Sequence, residues 1–274
     1  MNGLERQILG ELFLLTVVAS VIGLGVFGWI RRYNPLLSWN SHGNVWSSPF
    51  GIAELFLTAG VFYITWVAIQ DARSEPPKVT MAGVLYTAVL FHGTLAGGVF
   101  LYFGWLRGLN LDELFGITRY KGWHLLGIAL AWIVPAALSA FAAKFFIDTF
   151  VWPATGLELS EQNMVAALKE GGVGLKVAVA VSAVIVAPVA EETIFRGLIY
   201  GAVKRFSERY FAAVISALAF ASLHLNLASF LPLFILGMFF ALAYEISGCL
   251  AVPVIMHASF NAVSIGFILS VSAT

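Results

Sequence analysis

Between Ile8 and Ile30 one charged side chain, Glu11, interrupts 23 otherwise uncharged and mostly apolar residues. A helix needs about 20 such residues to cross the hydrocarbon core of a bilayer. Runs of this kind recur along the chain, and predict eight helices over 8–30, 52–70, 79–106, 123–147, 174–203, 209–224, 229–247 and 250–270. The expectation is an all-α, polytopic membrane bundle. Eight spans consume about 160 residues at that length, which leaves no room for a separate soluble domain in 274. Composition agrees: 60% of the residues are hydrophobic and 11% charged, against about 25% charged in soluble domains. The first run is too long for the apolar core of a signal peptide, and no small-residue cleavage site follows it, so it reads as a retained span.

The breaks are chemically coherent. Arg31-Arg32-Tyr33-Asn34-Pro35 ends the first run, and Asp71-Ala72-Arg73-Ser74-Glu75-Pro76-Pro77-Lys78 separates the second from the third. A Pro- and Gly-bearing stretch, Trp152 to Gly172, precedes the fifth. The chain divides into helices 1–3 (1–108), a mixed polar and apolar linker lying along the membrane interface (109–122), and a helical core (123–274). Gly93/Gly97 and Gly197/Gly201 have the spacing that lets helix backbones approach closely, and are assigned to packing. Basic residues are asymmetric. Arg31, Arg32, Arg107, Arg119, Lys121, Lys204, Arg205 and Arg209 fall on one side and Arg6, Arg73, Lys78 and Lys169 on the other. By the positive-inside rule both termini are outside.

Equal numbers of acidic and basic side chains, 15 each, leave no basic field for nucleic acid. The lone Cys249 excludes an intramolecular disulfide and a cysteine-based zinc cluster. The expected partners are the lipid bilayer and a membrane-associated protein or peptide.

Ionisable groups inside the apolar runs carry the functional information, because each costs about 2.5–3.5 kcal/mol on insertion scales. The densest group is Glu191-Glu192-Thr193-Ile194-Phe195-Arg196. Glu192 and Arg196 are four apart, share a helix face and can pair. Glu191 points about 100° away and is left without that partner. Two adjacent carboxylates repel, which suits one of them to carry a proton. His224 closes the sixth run, and His257 and Asn261 project from one face of the last. Taken singly, each histidine reads as packing; together with Glu191 they form a set of acid, bases and amide donors.

In an upright hairpin turning near Ser207, Glu191 and His224 sit at one level, 16 and 17 residues from the turn. His257 is only nine residues past the next turn, near Gly248, and is offset in depth unless a helix is tilted or broken. Elsewhere, Lys144 and Asp148 are spaced to pair, Glu54 and Lys176 lie near enough to helix ends to snorkel, and His92 reads as a packing histidine.

Glu191-Glu192-x-x-x-Arg196, Phe220-x-x-x-His224 and His257-x-x-x-Asn261 closely resemble the three motifs of the CPBP family. These are the CAAX proteases and bacteriocin-processing enzymes, also called the Abi family of intramembrane proteases, and the eight-helix architecture is similar to that of the family's prenyl-protein type II CAAX endopeptidases. Gly237, Tyr244, Ser247-Gly248-Cys249-Leu250 and Pro253 resemble the family's approach to the third motif, while Glu245 stands where a neutral residue is commoner. The resemblance implies peptide-bond hydrolysis in or beside the membrane, with a cavity open to the cytosol, on the face opposite to that implied by the charge count. It implies Glu191 as general base, His224 as its partner, His257 and Asn261 as oxyanion donors, and Glu192 with Arg196 as support. No cofactor is favoured. A zinc held by Glu191, His224 and His257 is the competing mechanism, although His-Glu-x-x-His is absent. An ion-coupled transporter and a catalytically idle scaffold are the competing functions. The expected location is a multi-pass position, in the plasma membrane.

Overall fold

A computed structural model describes residues 3–34, 43–72, 79–156, 159 and 163–272. Pro35, the Arg73–Lys78 part of the second break and several residues between 157 and 162 lie outside them. Among the described residues there is no strand. The chain forms α1 (Gly3–Tyr33), α2 (Ile52–Asp71), α3 (Met81–Leu106), a short α4 (Leu111–Phe115), α5 (Gly122–Thr155), α6 (Asn163–Glu170), α7 (Val173–Phe206), α8 (Arg209–Leu223), α9 (Leu227–Ser247) and α10 (Ala251–Ser272). Seven of these are long and apolar enough to cross a membrane. The protein is an integral, multi-pass helical bundle.

The sixth expected span, α8, has 15 residues. At 1.5 Å per residue it covers about 22 Å, short of the ~30 Å hydrocarbon core. Its C-terminal end, where His224 stands, is therefore held at depth. Leu225 adopts a left-handed φ of 50°, and Asn226 caps α9 by accepting from the Ser229 amide at 3.0 Å. The connection is too tight to carry His224 out of the bundle.

The outside is as apolar as the inside. Trp105, Trp123 and Phe56 are more than 70% exposed, which is favourable only where lipid covers them. The interior holds the bulky and charged groups: Phe195, Phe220, Phe240, Tyr200 and Tyr244, together with Arg196 and Lys204. Gly197 and Gly201 behave as expected, since a Cβ on Gly201 would lie 2.4 Å from the Phe50 ring and one on Gly197 3.2 Å from Phe115. Gly93 and Gly97 do not, because a Cβ on Gly97 would meet nothing within 4 Å.

Several expectations are corrected. The linker also packs into the bundle: Leu114 and Phe115 are buried, and the Phe115 carbonyl accepts from the Leu250 amide at 2.8 Å. Gly116, at φ 61°, permits this contact, because a Cβ there would come within 1.9 Å of the Gly248 carbonyl oxygen. Glu54 does not snorkel; it is fully buried, accepting from the Tyr102 hydroxyl at 2.6 Å and pairing with Arg107. Lys204, counted as a loop charge, is buried within α7. Its ammonium contacts Glu245 at 2.6 Å, so the residue that departs from the family pattern has its counter-charge. The expected break between 152 and 172 contains a helix, α6, whose Ala167 and Leu168 are buried against α3, α7 and α10. Lys144 and Asp148 pair as expected.

Candidate active site

The site is built on α7, which is not wound uniformly. π-helical turns occupy Ser182–Val186 and Thr193–Tyr200, on either side of the two glutamates. The first has a local cause. The Ala187 amide bonds back five residues to the Ser182 carbonyl. The next bond in that register would come from Pro188, which has no N–H. The Ala183 carbonyl is thus left free, and Asn261 of α10 fills it, donating from Nδ2 at 2.8 Å. π turns of this kind recur at functional sites.

Glu192 points inward and has no exposed surface. Its Oε1 accepts from Arg196 Nη1 at 3.2 Å and from His257 Nδ1 at 2.9 Å. Arg196 Nε lies 3.1 Å from Oε2, off the line of its N–H, so that contact is ionic rather than directional. Nη2 of Arg196 donates to the Gly237 carbonyl at 2.9 Å, and the guanidinium lies over the Phe220 and Phe240 rings, 4.8 and 5.3 Å from their centroids. A buried charge is tolerable only with this degree of pairing. Gly237 is required here because a Cβ would come within 3.0 Å of Ala217 and 3.3 Å of Arg196.

Glu191 is different. Its side chain is 13% exposed, and its buried Oε2 accepts no hydrogen bond from any described residue. Three imidazoles surround the carboxylate: His224 Nε2 at 3.9 Å and His257 Nε2 at 4.0 Å from Oε2, and His92 Nε2 at 3.7 Å from Oε1. His224 Nδ1 is 2.8 Å from the Phe220 carbonyl and donates to it, which leaves Nε2 as an acceptor facing Glu191. The His257 ring stacks on Phe240, with 5.3 Å between centroids, and takes the Phe220 edge. Every predicted site residue therefore comes to one place. Glu191, His224, His257 and Asn261 line a single cavity of about 460 Å³, with Glu192 and Arg196 behind it.

His257 reaches Glu191 despite its expected offset. The eight residues of the second π turn stand between Glu192 and the Ser207 turn, and a wider helix rises less per residue, which removes a part of that offset. The first histidine-bearing helix, α3, was assigned only to packing by sequence; the unmatched polar residue in its apolar run was the available signal. Among the described residues, no three His, Cys, Asp or Glu side chains are arranged to hold a metal ion.

Comparison with known proteins centres on this region. Residues 173–263 match the family model of the type II CAAX prenyl endopeptidases, Rce1-like. The matched segment contains Glu191, Glu192, Arg196, His224, His257 and Asn261. The chain is also similar to a Bacillus subtilis protein named "Putative membrane peptidase YdiL", at 26% identity over 136 residues, 50% of this chain and 55% of that one. It is 30% identical over 186 residues, 67% of its length, to NADH-quinone oxidoreductase subunit N of Salinispora tropica, of which this covers 32%. The chain thus spans about a third and about half of the lengths of these relatives. No solved structure matches it.

Proposed function

We propose that the protein is an intramembrane endopeptidase of the CAAX type, cleaving a peptide bond in a membrane-associated protein or peptide without a metal. The observation that carries the reading is the contrast between the two neighbouring carboxylates. Glu192 is ion-paired to Arg196 and accepts hydrogen bonds from Arg196 and His257 on Oε1, while Glu191 has no counter-charge of that kind and its unpartnered Oε2 faces two imidazoles across a cavity. A carboxylate so placed has no structural use. The family match and the peptidase relative give the reaction class.

The chemistry follows from proton positions. A water between Glu191 Oε2 and His224 Nε2 gives its proton to Glu191 as its oxygen attacks the scissile carbonyl. Negative charge develops on the carbonyl oxygen. Asn261 has a second amide N–H available beyond the one given to Ala183, and His257 Nε2 donates when its ring carries both protons. Donors fixed in a cavity of low polarity stabilise that oxygen strongly. As the tetrahedral intermediate collapses, the C–N bond breaks and Glu191 returns its proton to the departing amine. The apolar walls, among them Phe141, Met164, Leu168 and Ile268, suit a hydrophobic peptide or a lipidated one.

The test is cleavage of a quenched-fluorescent, farnesylated CAAX peptide by the purified full chain in proteoliposomes, beside Glu191→Gln. Cleavage by the native protein and none by the variant is expected. Native protein that leaves the peptide and other membrane peptides intact, but conducts protons across the same vesicles, turns the reading to ion transport.

A further inference from the structure

The mechanism above uses one oxygen of Glu191. The other, Oε1, faces His92 Nε2 at 3.7 Å, the shortest of the three imidazole distances. His92 comes from α3, outside residues 173–263 that match the family. Three observations separate it from a packing histidine. It lines the same cavity as Glu191, His224 and His257. Its Nδ1 is buried with no partner, so Glu191 is the polar group it engages. It also sits in a π turn, Thr87–Gly93, as the glutamates sit between two. A buried N–H without an acceptor is costly, so the proton belongs on Nε2, pointing at the carboxylate.

We propose that His92 is a positioning residue for the reaction, donating from Nε2 to Glu191 Oε1 and holding the carboxylate so that Oε2 faces the attacking water. The inference rests on the endopeptidase reading. Such contacts are often long without substrate and shorten in the reacting complex. The arrangement divides labour around one carboxylate: His92 fixes one oxygen, and His224 and His257 flank the other. The remaining charged groups about Glu191 are Glu192 and Arg196, which neutralise each other on its own helix, and Lys144 along the cavity wall.

The test compares His92→Ala and His92→Gln in the full chain, with the farnesylated quenched peptide as probe. A carboxylate that swings free loses about 10–100-fold in kcat, with KM changed by less than about two-fold. Gln keeps an N–H at similar reach and restores most of the rate. Imidazole added to the buffer raises turnover by His92→Ala but not by Glu191→Gln. His92→Ala turning over at the native rate, or Gln failing as badly as Ala with the same loss of melting temperature, overturns the assignment. Native protein that cleaves nothing overturns the endopeptidase reading instead. His92 is then judged by mass spectrometry of Glu191 treated with dicyclohexylcarbodiimide, which attacks protonated carboxyls. Modification about ten-fold faster in His92→Ala supports the contact, and an unchanged rate overturns it.

Discussion

Glu192 and His257 are joined by a 2.9 Å hydrogen bond between α7 and α10, and the same carboxylate oxygen accepts from Arg196. The adjacent Glu191 makes no contact of that kind. This division predicts opposite phenotypes for two neighbouring substitutions. Glu191→Ala is expected to abolish cleavage and leave the folded protein with nearly the native melting temperature. Glu192→Ala strands a fully buried guanidinium and frees the His257 ring, a loss of about 3–5 kcal/mol, and is expected to unfold early and to cleave slowly. Melting curves in detergent run beside the peptide assay check both. A stable, inactive Glu192→Ala beside an active Glu191→Ala would reverse the assignments.

The oxyanion donors proposed above, His257 and Asn261, make a second prediction. Removing one such donor lowers turnover by about 10²–10³-fold, so Asn261→Ala and His257→Ala are each expected to fall in that range. Asn261→Ala also strips the partner from the Ala183 carbonyl, and a modest loss of melting temperature should accompany it. His257→Ala leaves Glu192 to Arg196 alone. Because the proposed proton transfers run between side chains and water, prolonged treatment with a strong chelator should leave the native rate unchanged. Activity lost on chelation and restored by zinc would require the metal mechanism instead.

Glycines of identical spacing should respond differently. Gly201→Ala drives a methyl into the Phe50 ring, 2.4 Å away, and overpacking of this degree costs about 1–3 kcal/mol. Gly97→Ala meets nothing within 4 Å, and should be neutral or stabilise the helix by about 0.5–1 kcal/mol. The two melting temperatures, measured in the same detergent, give the comparison. Equal effects would show that spacing alone, rather than the contact made, decides.

The contrast also marks what the sequence carries and what it does not. Helix positions were legible because bilayer thickness imposes a length, and the candidate site residues because charge in an apolar run stands out. The site's convergence was only partly legible. Pro188 was visible, but that it frees the Ala183 carbonyl for Asn261 depends on a five-residue bond register that periodicity does not reveal. His92 was undervalued because one polar residue in an apolar helix has two readings, and only its distance to Glu191 separates them. Lys204 was misread as a loop charge, since its partner Glu245 lies 41 residues away and no local pattern links them.

Cys249 lies in the connection between α9 and α10. It is buried, and burial pushes its thiol above the ordinary range, partly offset by the backbone amides of Ala251 and Val252 and by Arg119. The thiolate is the reactive form, and a raised pKa together with burial leaves little of it accessible at neutral pH. N-Ethylmaleimide is therefore expected to label the folded protein slowly and the unfolded protein rapidly. The rate against temperature should follow the melting curve. Fast labelling below the melting transition would mean that the α9–α10 turn opens locally.

The Lys204–Glu245 pair provides the sharpest test of how a charge is kept inside this bundle. Lys204 Nζ contacts both oxygens of Glu245, at 2.6 and 2.8 Å, and also donates to the Val45 carbonyl at 2.9 Å; the Tyr200 hydroxyl donates to Glu245 at 2.6 Å. Removing one member leaves the other charged, buried and uncompensated. Lys204→Met is expected to lose about 3–5 kcal/mol, and Glu245→Gln somewhat less, because the amide oxygen still accepts from Tyr200. The double variant removes both charges together and should recover much of the loss, so the two effects are not additive. Since the family's commoner residue at the Glu245 position is neutral, the double variant should also cleave peptide at close to the native rate. Additive losses in the double-mutant cycle would show that each side chain acts through packing alone, and that the pair has no electrostatic coupling.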